Sequence, residues 1–143
     1  MPDTPFELHP QLAADTVALG DWPLSRVLLM NDAHYPWLVL VPRRGGVREL
    51  YELGVADQQL LLQESLAAGQ LLMTLFAGHK LNVAALGNVV PQLHVHHVVR
   101  QPDDAAWPAP VWGRHPAAPY APADLRERVA SLRQALAARW PLR

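Results

Sequence analysis

The spacing of hydrophobic positions changes several times along this chain, and each change marks an element. Residues 24–32 form an apolar run that closes on the turn-forming pair Asn31-Asp32. Four residues follow, and a second apolar run begins, Trp37 to Pro42. Two β-rich runs this close together predict antiparallel neighbours. Residues 43–46, two arginines and two glycines, predict an exposed turn. From Asp57 to Phe76 the period becomes helical. Leu62, Leu66, Gly69, Met73 and Phe76 form one stripe, and Leu61, Ala68, Leu72 and Leu75 form a second beside it. A stripe of that width predicts a helix laid broadly on a sheet. Asp57 is the expected N-cap and Gly78 the expected stop.

Residues 81–86 predict another strand, and Gly87-Asn88 a turn. The stretch from Asn88 to Val99 then reads as a strand, with Pro91 before it and β-branched Val95, Val98 and Val99 within it. Alternation places Gln92, His94 and His96 on one face and Leu93, Val95 and His97 on the other. Six of the fourteen prolines fall between Pro102 and Pro122, together with Trp107 and Trp112. Two tryptophans predict an ordered arm that anchors to the core, or that closes over a ligand or a partner subunit. A last helix opens near Pro122, with Leu125, Val129, Leu132, Leu136 and Trp140 as its apolar stripe. The five arginines from Arg126 to Arg143 read as a solvated face. Together these elements predict an α+β fold: an antiparallel sheet packed on one face by a long helix, followed by a proline-rich arm and a terminal helix.

Composition narrows the picture. With 143 residues, half of them hydrophobic and 17% charged, the chain fits one globular domain, 1–143. A net charge of −1 argues against a general nucleic-acid binder. There is no cysteine, which excludes disulfides, thiolate ligands and a thiol nucleophile. Met1 to Pro5 lacks the features of a leader peptide, and no apolar run is long enough to span a membrane. A cytoplasmic protein is the expectation.

Two imidazoles and an amide on one strand face admit three readings. A neutral imidazole can attack phosphorus and form a phosphoramidate, provided its other nitrogen donates to a fixed acceptor. Backbone N–H groups of residues 87–90 would supply donors for the phosphoryl oxygens. Alternatively, His94 and His96 can share a metal ion. That reading lacks a third ligand: His9, His34, His79 and His115 are scattered, and Asp103 and Asp104 are the nearest carboxylates. The plainest reading is a set of satisfied polar residues on a half-exposed strand.

The segment from Gln92 to Val98 resembles the signature of the histidine-triad (HIT) family, His-φ-His-φ-His-φ-φ, with φ hydrophobic. Residues 87–91 resemble the segment that precedes that signature, residues 38–43 resemble the family's apolar strand ending in Pro-Lys/Arg, and Asn31-Asp32 lies where such proteins hold the ribose. The resemblance implies a HIT-like fold and a nucleotide hydrolase or nucleotidyl transferase acting at an α-phosphorus. His94 would be the nucleophile, forming a nucleotidyl-histidine that water hydrolyses. His96 would contact phosphate and leaving group, Gln92 would orient them, and Asn88 with the Val89 amide would donate to phosphate oxygens. The implied partners are a purine nucleotide or nucleotide derivative, such as a nucleoside phosphoramidate or dinucleoside polyphosphate, and a second subunit in a homodimer. No cofactor or metal is implied. A non-catalytic nucleotide-binding module is the alternative.

The chain departs from the family pattern at four places. Gln92 stands for the first histidine, and it cannot change charge with pH. His97 replaces a hydrophobic residue, and a core or edge position is expected for it. The loop from Asn31 to Pro36 is short. Trp37 stands where a histidine is common.

Overall fold

The computed structural model describes residues 4–143, so Met1, Pro2 and Asp3 lie outside the described residues. Five strands form one antiparallel sheet: β1 (Thr16–Asp21), β2 (Ser25–Met30), β3 (Trp37–Pro42), β4 (Lys80–Ala84) and β5 (Val95–Arg100), in the order β1-β2-β3-β5-β4. Among the described residues three α-helices accompany it, α1 (Pro10–Asp15), α2 (Val55–Leu75) and α3 (Pro122–Arg139), with a 3-10 turn at Leu50–Glu52. The sheet, the long helix, the arm and the terminal helix all match the expectation. Among the described residues no helix is long and apolar enough to cross a membrane.

β3 and β5 are buried along their whole length because both faces of the sheet are covered. On one face Leu38, Leu40, Leu93, Val95 and Val99 pack beneath α2 and α3. On the other face Trp37, Val39, Val41 and Val98 pack beneath Leu12, Ala106 and Val111. The expected sheet covered on one face is therefore corrected: the irregular arm supplies the second cover. Each fully buried leucine contributes about 1.5–3 kcal/mol relative to an exposed one. Arg100, 1% exposed, fastens the arm to the sheet. Its guanidinium donates to Asp104 at 2.8 and 3.0 Å, to Asn82 at 2.8 Å and to the Ala109 carbonyl at 2.8 Å. Trp107 lies against the same guanidinium, 5.6 Å from the ring centre.

The long helix corrects the sequence reading in two respects. It begins at Val55 with Gly54 as its N-cap, and Asp57 sits in the first turn with its carboxylate held by Arg44 at 2.7 and 3.1 Å. Its stripes also divide differently. Leu61, Ala68, Gly69 and Leu72 are buried, whereas Leu62 and Leu66 are 60% and 64% exposed and Leu75 is 42% exposed. Glu64 occupies a buried position instead, where its carboxylate accepts from the amides of Leu24 and Ser25 at 2.8 and 3.1 Å. Desolvation raises the Glu64 pKa, and the two backbone hydrogen bonds act against that rise. The carboxylate thus ties α2 to the start of β2 by satisfying two buried amides.

Candidate active site

The strand expected from Asn88 to Val99 is shorter in the structure. β5 begins at Val95, and Leu93 and His94 lie in the irregular segment before it, although the expected division of the side chains between two sides holds. Leu93, Val95 and Val99 face α2, and His97 on the same side meets Ser65 of α2, with Nε2 at 2.7 Å from the hydroxyl. At 0% exposure His97 is a core residue, and burial lowers its pKa to about 4. His94 and His96 face the opposite side, under the arm, with ring centres 4.9 Å apart.

Each of these two rings has one nitrogen fixed. His94 Nδ1 donates to the main-chain carbonyl of Gln92 at 2.7 Å. In the neutral ring this leaves the Nε2 lone pair free. His96 Nδ1 accepts from the indole N–H of Trp37 at 3.0 Å, so its proton sits on Nε2. Burial, with smaller contributions from His94 and His97, lowers the His96 pKa to about 3. His96 is therefore a neutral donor through Nε2–H near pH 7. The Nε2 atoms of both rings have no hydrogen-bond partner among the described residues and are not among the atoms sealed from solvent. One side of the pair thus presents a nucleophilic nitrogen and the other a hydrogen-bond donor.

Trp37 and Trp112 complete the wall. Trp37 lies on the same face of β3 as Val39, which pairs with His96 across the ladder. Trp112 reaches in from the arm and meets His96 edge-on at 5.3 Å and Trp37 at 6.1 Å. Its buried indole N–H has no hydrogen-bond partner. Alternation along β3 places Trp37 on the site face, and Trp112 is one of the two arm tryptophans expected to anchor to the core or to close over a ligand or a partner subunit.

The remaining site candidates fall in different places. Gln92 precedes β5, and its side chain turns to the N-terminal segment, accepting from the His9 amide at 2.9 Å and donating to the Glu7 carbonyl at 2.8 Å. Its expected orienting role is corrected accordingly: the main-chain carbonyl orients His94, which any residue type could do. Asn88 and Val89 are exposed, and neither backbone amide is engaged within the described residues. Gly87 before them has φ 106°, a left-handed conformation that glycine adopts without a Cβ clash. Asn31 and Asp32 hold the arm: Asn31 Oδ1 accepts from the Tyr120 amide at 2.9 Å, and Asp32 Oδ1 from the Ala118 amide at 3.3 Å. Asp32 is 3% exposed, so this arrangement gives a ribose contact no support. Among the described residues no third ligand joins His94 and His96, and the carboxylate of Asp104 is taken by Arg100.

The sheet, the paired imidazoles and their order in the chain define a histidine-triad protein. The HIT domain model matches residues 11–103, and the chain belongs to the HIT family. Solved structures agree. A histidine triad protein of Bradyrhizobium japonicum is 42% identical with a TM-score of 0.90, covering 93% of this chain and 99% of its own. One of Marinobacter aquaeolei VT8 is 54% identical with a TM-score of 0.85, covering 93% and 94%. One of Sinorhizobium meliloti 1021 is 36% identical with a TM-score of 0.86, covering 93% and 96%. No curated protein matches the chain. Membership supports a nucleotide-binding, hydrolase or transferase role.

Proposed function

We propose that this protein is a nucleotide hydrolase or nucleotidyl transferase that attacks an α-phosphorus through His94. The observation that carries the reading is the 2.7 Å hydrogen bond from His94 Nδ1 to the Gln92 carbonyl, which leaves Nε2 as a free nucleophile. The Nε2 lone pair forms the N–P bond, and the bond from phosphorus to the leaving group breaks with its electron pair on that group. Water then cleaves the N–P bond, releasing the nucleoside monophosphate and restoring the imidazole. His96 Nε2–H donates a hydrogen bond to the departing oxygen or to a phosphoryl oxygen. The free amides at Asn88 and Val89 meet the phosphoryl oxygens as charge grows on them.

Because His96 is held neutral, the site favours leaving groups that depart as stable anions over amines that must gain a proton. Dinucleoside polyphosphates are therefore the better substrate class and nucleoside phosphoramidates the poorer one. Incubation with diadenosine polyphosphate and with adenosine phosphoramidate, scored by released AMP, tests this. AMP from the polyphosphate at the higher rate is the expected result. AMP binding without product from either would make the protein a binding module and overturn the enzyme reading.

The working unit is proposed to be a homodimer. Leu62 of α2, Tyr51 and Val83, 51–80% exposed, line a groove of about 590 Å³ beside the open edge of β4, and Leu66 of α2 is 64% exposed. Sedimentation of the protein at micromolar concentration should give two copies per particle, and a monomer would contradict the assignment.

A further inference from the structure

A second group of chemistry-bearing side chains assembles where the arm crosses the end of β2. Asp32, His34 and His115 each place one ligand atom within 4.8 Å of the other two. His34 Nδ1 is 2.6 Å from Asp32 Oδ1, and the rings of His34 and His115 are 4.2 Å apart. The Tyr35 hydroxyl lies 2.6 Å from His115 Nε2, joining residues 80 positions apart in the chain. The two backbones are also linked there, Ala33 N–H donating to the Ala118 carbonyl at 2.6 Å. The histidines that look scattered in sequence meet here.

We propose that Asp32, His34 and His115 form a binding site for a divalent cation of the zinc class, which pins the arm across the end of the sheet. Two imidazoles and one carboxylate are a donor set that zinc accepts, with a fourth position left for water. His115 is already oriented for this. Its Nδ1 donates to the Pro116 carbonyl at 2.9 Å, which leaves the lone pair on Nε2, where it accepts from the Tyr35 hydroxyl at 2.6 Å; a metal on this atom would displace that hydroxyl. A main-chain carbonyl behind the ring is the usual support of a metal-binding imidazole.

Asp32 supplies an independent reason. Its carboxylate is nearly buried, and among the described residues no arginine or lysine is paired with it. Oδ1 accepts from the His34 amide, the His34 ring and the Ala118 amide, while Oδ2 makes no hydrogen bond among the described residues. Oδ2 is not sealed from solvent, so the carboxylate keeps one oxygen open to an incoming cation while the other is held in place by three hydrogen bonds. With metal–ligand bonds of about 2.0–2.1 Å, the ligand atoms of a tetrahedral site stand about 3.3 Å apart. The ligand atoms lie within 4.8 Å of one another, so the side chains would have to close by up to about 1.5 Å to reach that spacing.

Trp112, three residues before His115 in the chain, covers His96. The ion would therefore hold the part of the arm that closes the imidazole site. It would do so away from the reacting atoms, so this proposal stands independently of the phosphorus chemistry.

The test is zinc binding to the full chain, by calorimetry with zinc alone and by the visible absorption of bound cobalt. The expected result is one ion per chain and a thermal midpoint that rises as zinc saturates. His34→Ala and His115→Ala should each weaken binding by about 100-fold or more and abolish the rise in midpoint. Both positions are exposed or half-buried, so far-UV circular dichroism should confirm that these variants keep the fold. A double variant, His94→Ala with His96→Ala, should bind as tightly as the parent. No saturable binding to the parent overturns the proposal, as does binding that survives both single substitutions or disappears in the double variant.

Discussion

Replacing His94 with alanine is expected to lower AMP release by about 10⁴-fold or more, because the proposed covalent step would lose its nucleophile. The loss falls on kcat, with nucleotide binding largely kept, since the free amides at residues 88–89 and the His96 donor remain. His96→Ala is expected to cost less, about 10²- to 10³-fold, the usual size for removing one donor to developing charge. That difference in size is the informative part. Equal losses would mean that His96 moves a proton in the rate-limiting step, contrary to its position as a neutral donor locked by Trp37. Measuring kcat and KM for both variants with the same dinucleoside polyphosphate decides between the two roles.

Acidification is expected to destabilise the protein before its carboxylates are neutralised. His96 and His97 titrate near 6.5 in an unfolded chain, but burial holds them at about 3 and about 4 in the fold. Between pH 6.5 and 4 the unfolded chain therefore takes up two protons that the folded protein refuses. The stability is fully present above pH 6.5 and is lost as the pH falls through that window, by up to about 2.7 kcal/mol per pH unit. Ordinary domains hold only about 5–15 kcal/mol in total, so the effect is large. Glu64 acts in the opposite sense: its raised pKa lets the fold bind a proton before the unfolded chain does, which offsets part of the loss. Asp104 enters only at lower pH. Burial by itself would raise its pKa, but Arg100 and three backbone amides bring it down to about 2. Urea unfolding from pH 7.5 to 4.5 should show the decline, and His97→Gln should roughly halve its slope. Constant stability across that range would mean that the two imidazoles do not stay neutral in the fold.

Much of the sheet is legible in the sequence because its central strands keep a clean pattern. β3 coincides with the expected Trp37 to Pro42, and the alternation read from the sequence correctly divides His94 and His96 from His97, although β5 itself begins only at Val95. β1 is not legible, for a physical reason. A bulge between Ala18 and Gly20 inserts Leu19 into the ladder and breaks the period of two. α1 is only six residues long, too short for a helical period to show. The exposure of Leu62 and Leu66 is hidden as well, since a surface that would pair with another subunit has the same composition as a core. At the site, the motif points to His94 and His96. The direction of the Gln92 side chain, the Trp37 hydrogen bond and the meeting of His34 with His115 depend on contacts between segments far apart in the chain.

The most direct test of the central claim is the intact mass of the protein, quenched in acetonitrile without acid seconds after mixing with a dinucleoside polyphosphate, followed by mapping of the modified peptide. A mass increase of one nucleotidyl group, located at His94 and absent in His94→Ala, is the predicted result. AMP formed with no adduct at any time, or an adduct that persists in His94→Ala, would contradict the assignment of His94 as the nucleophile.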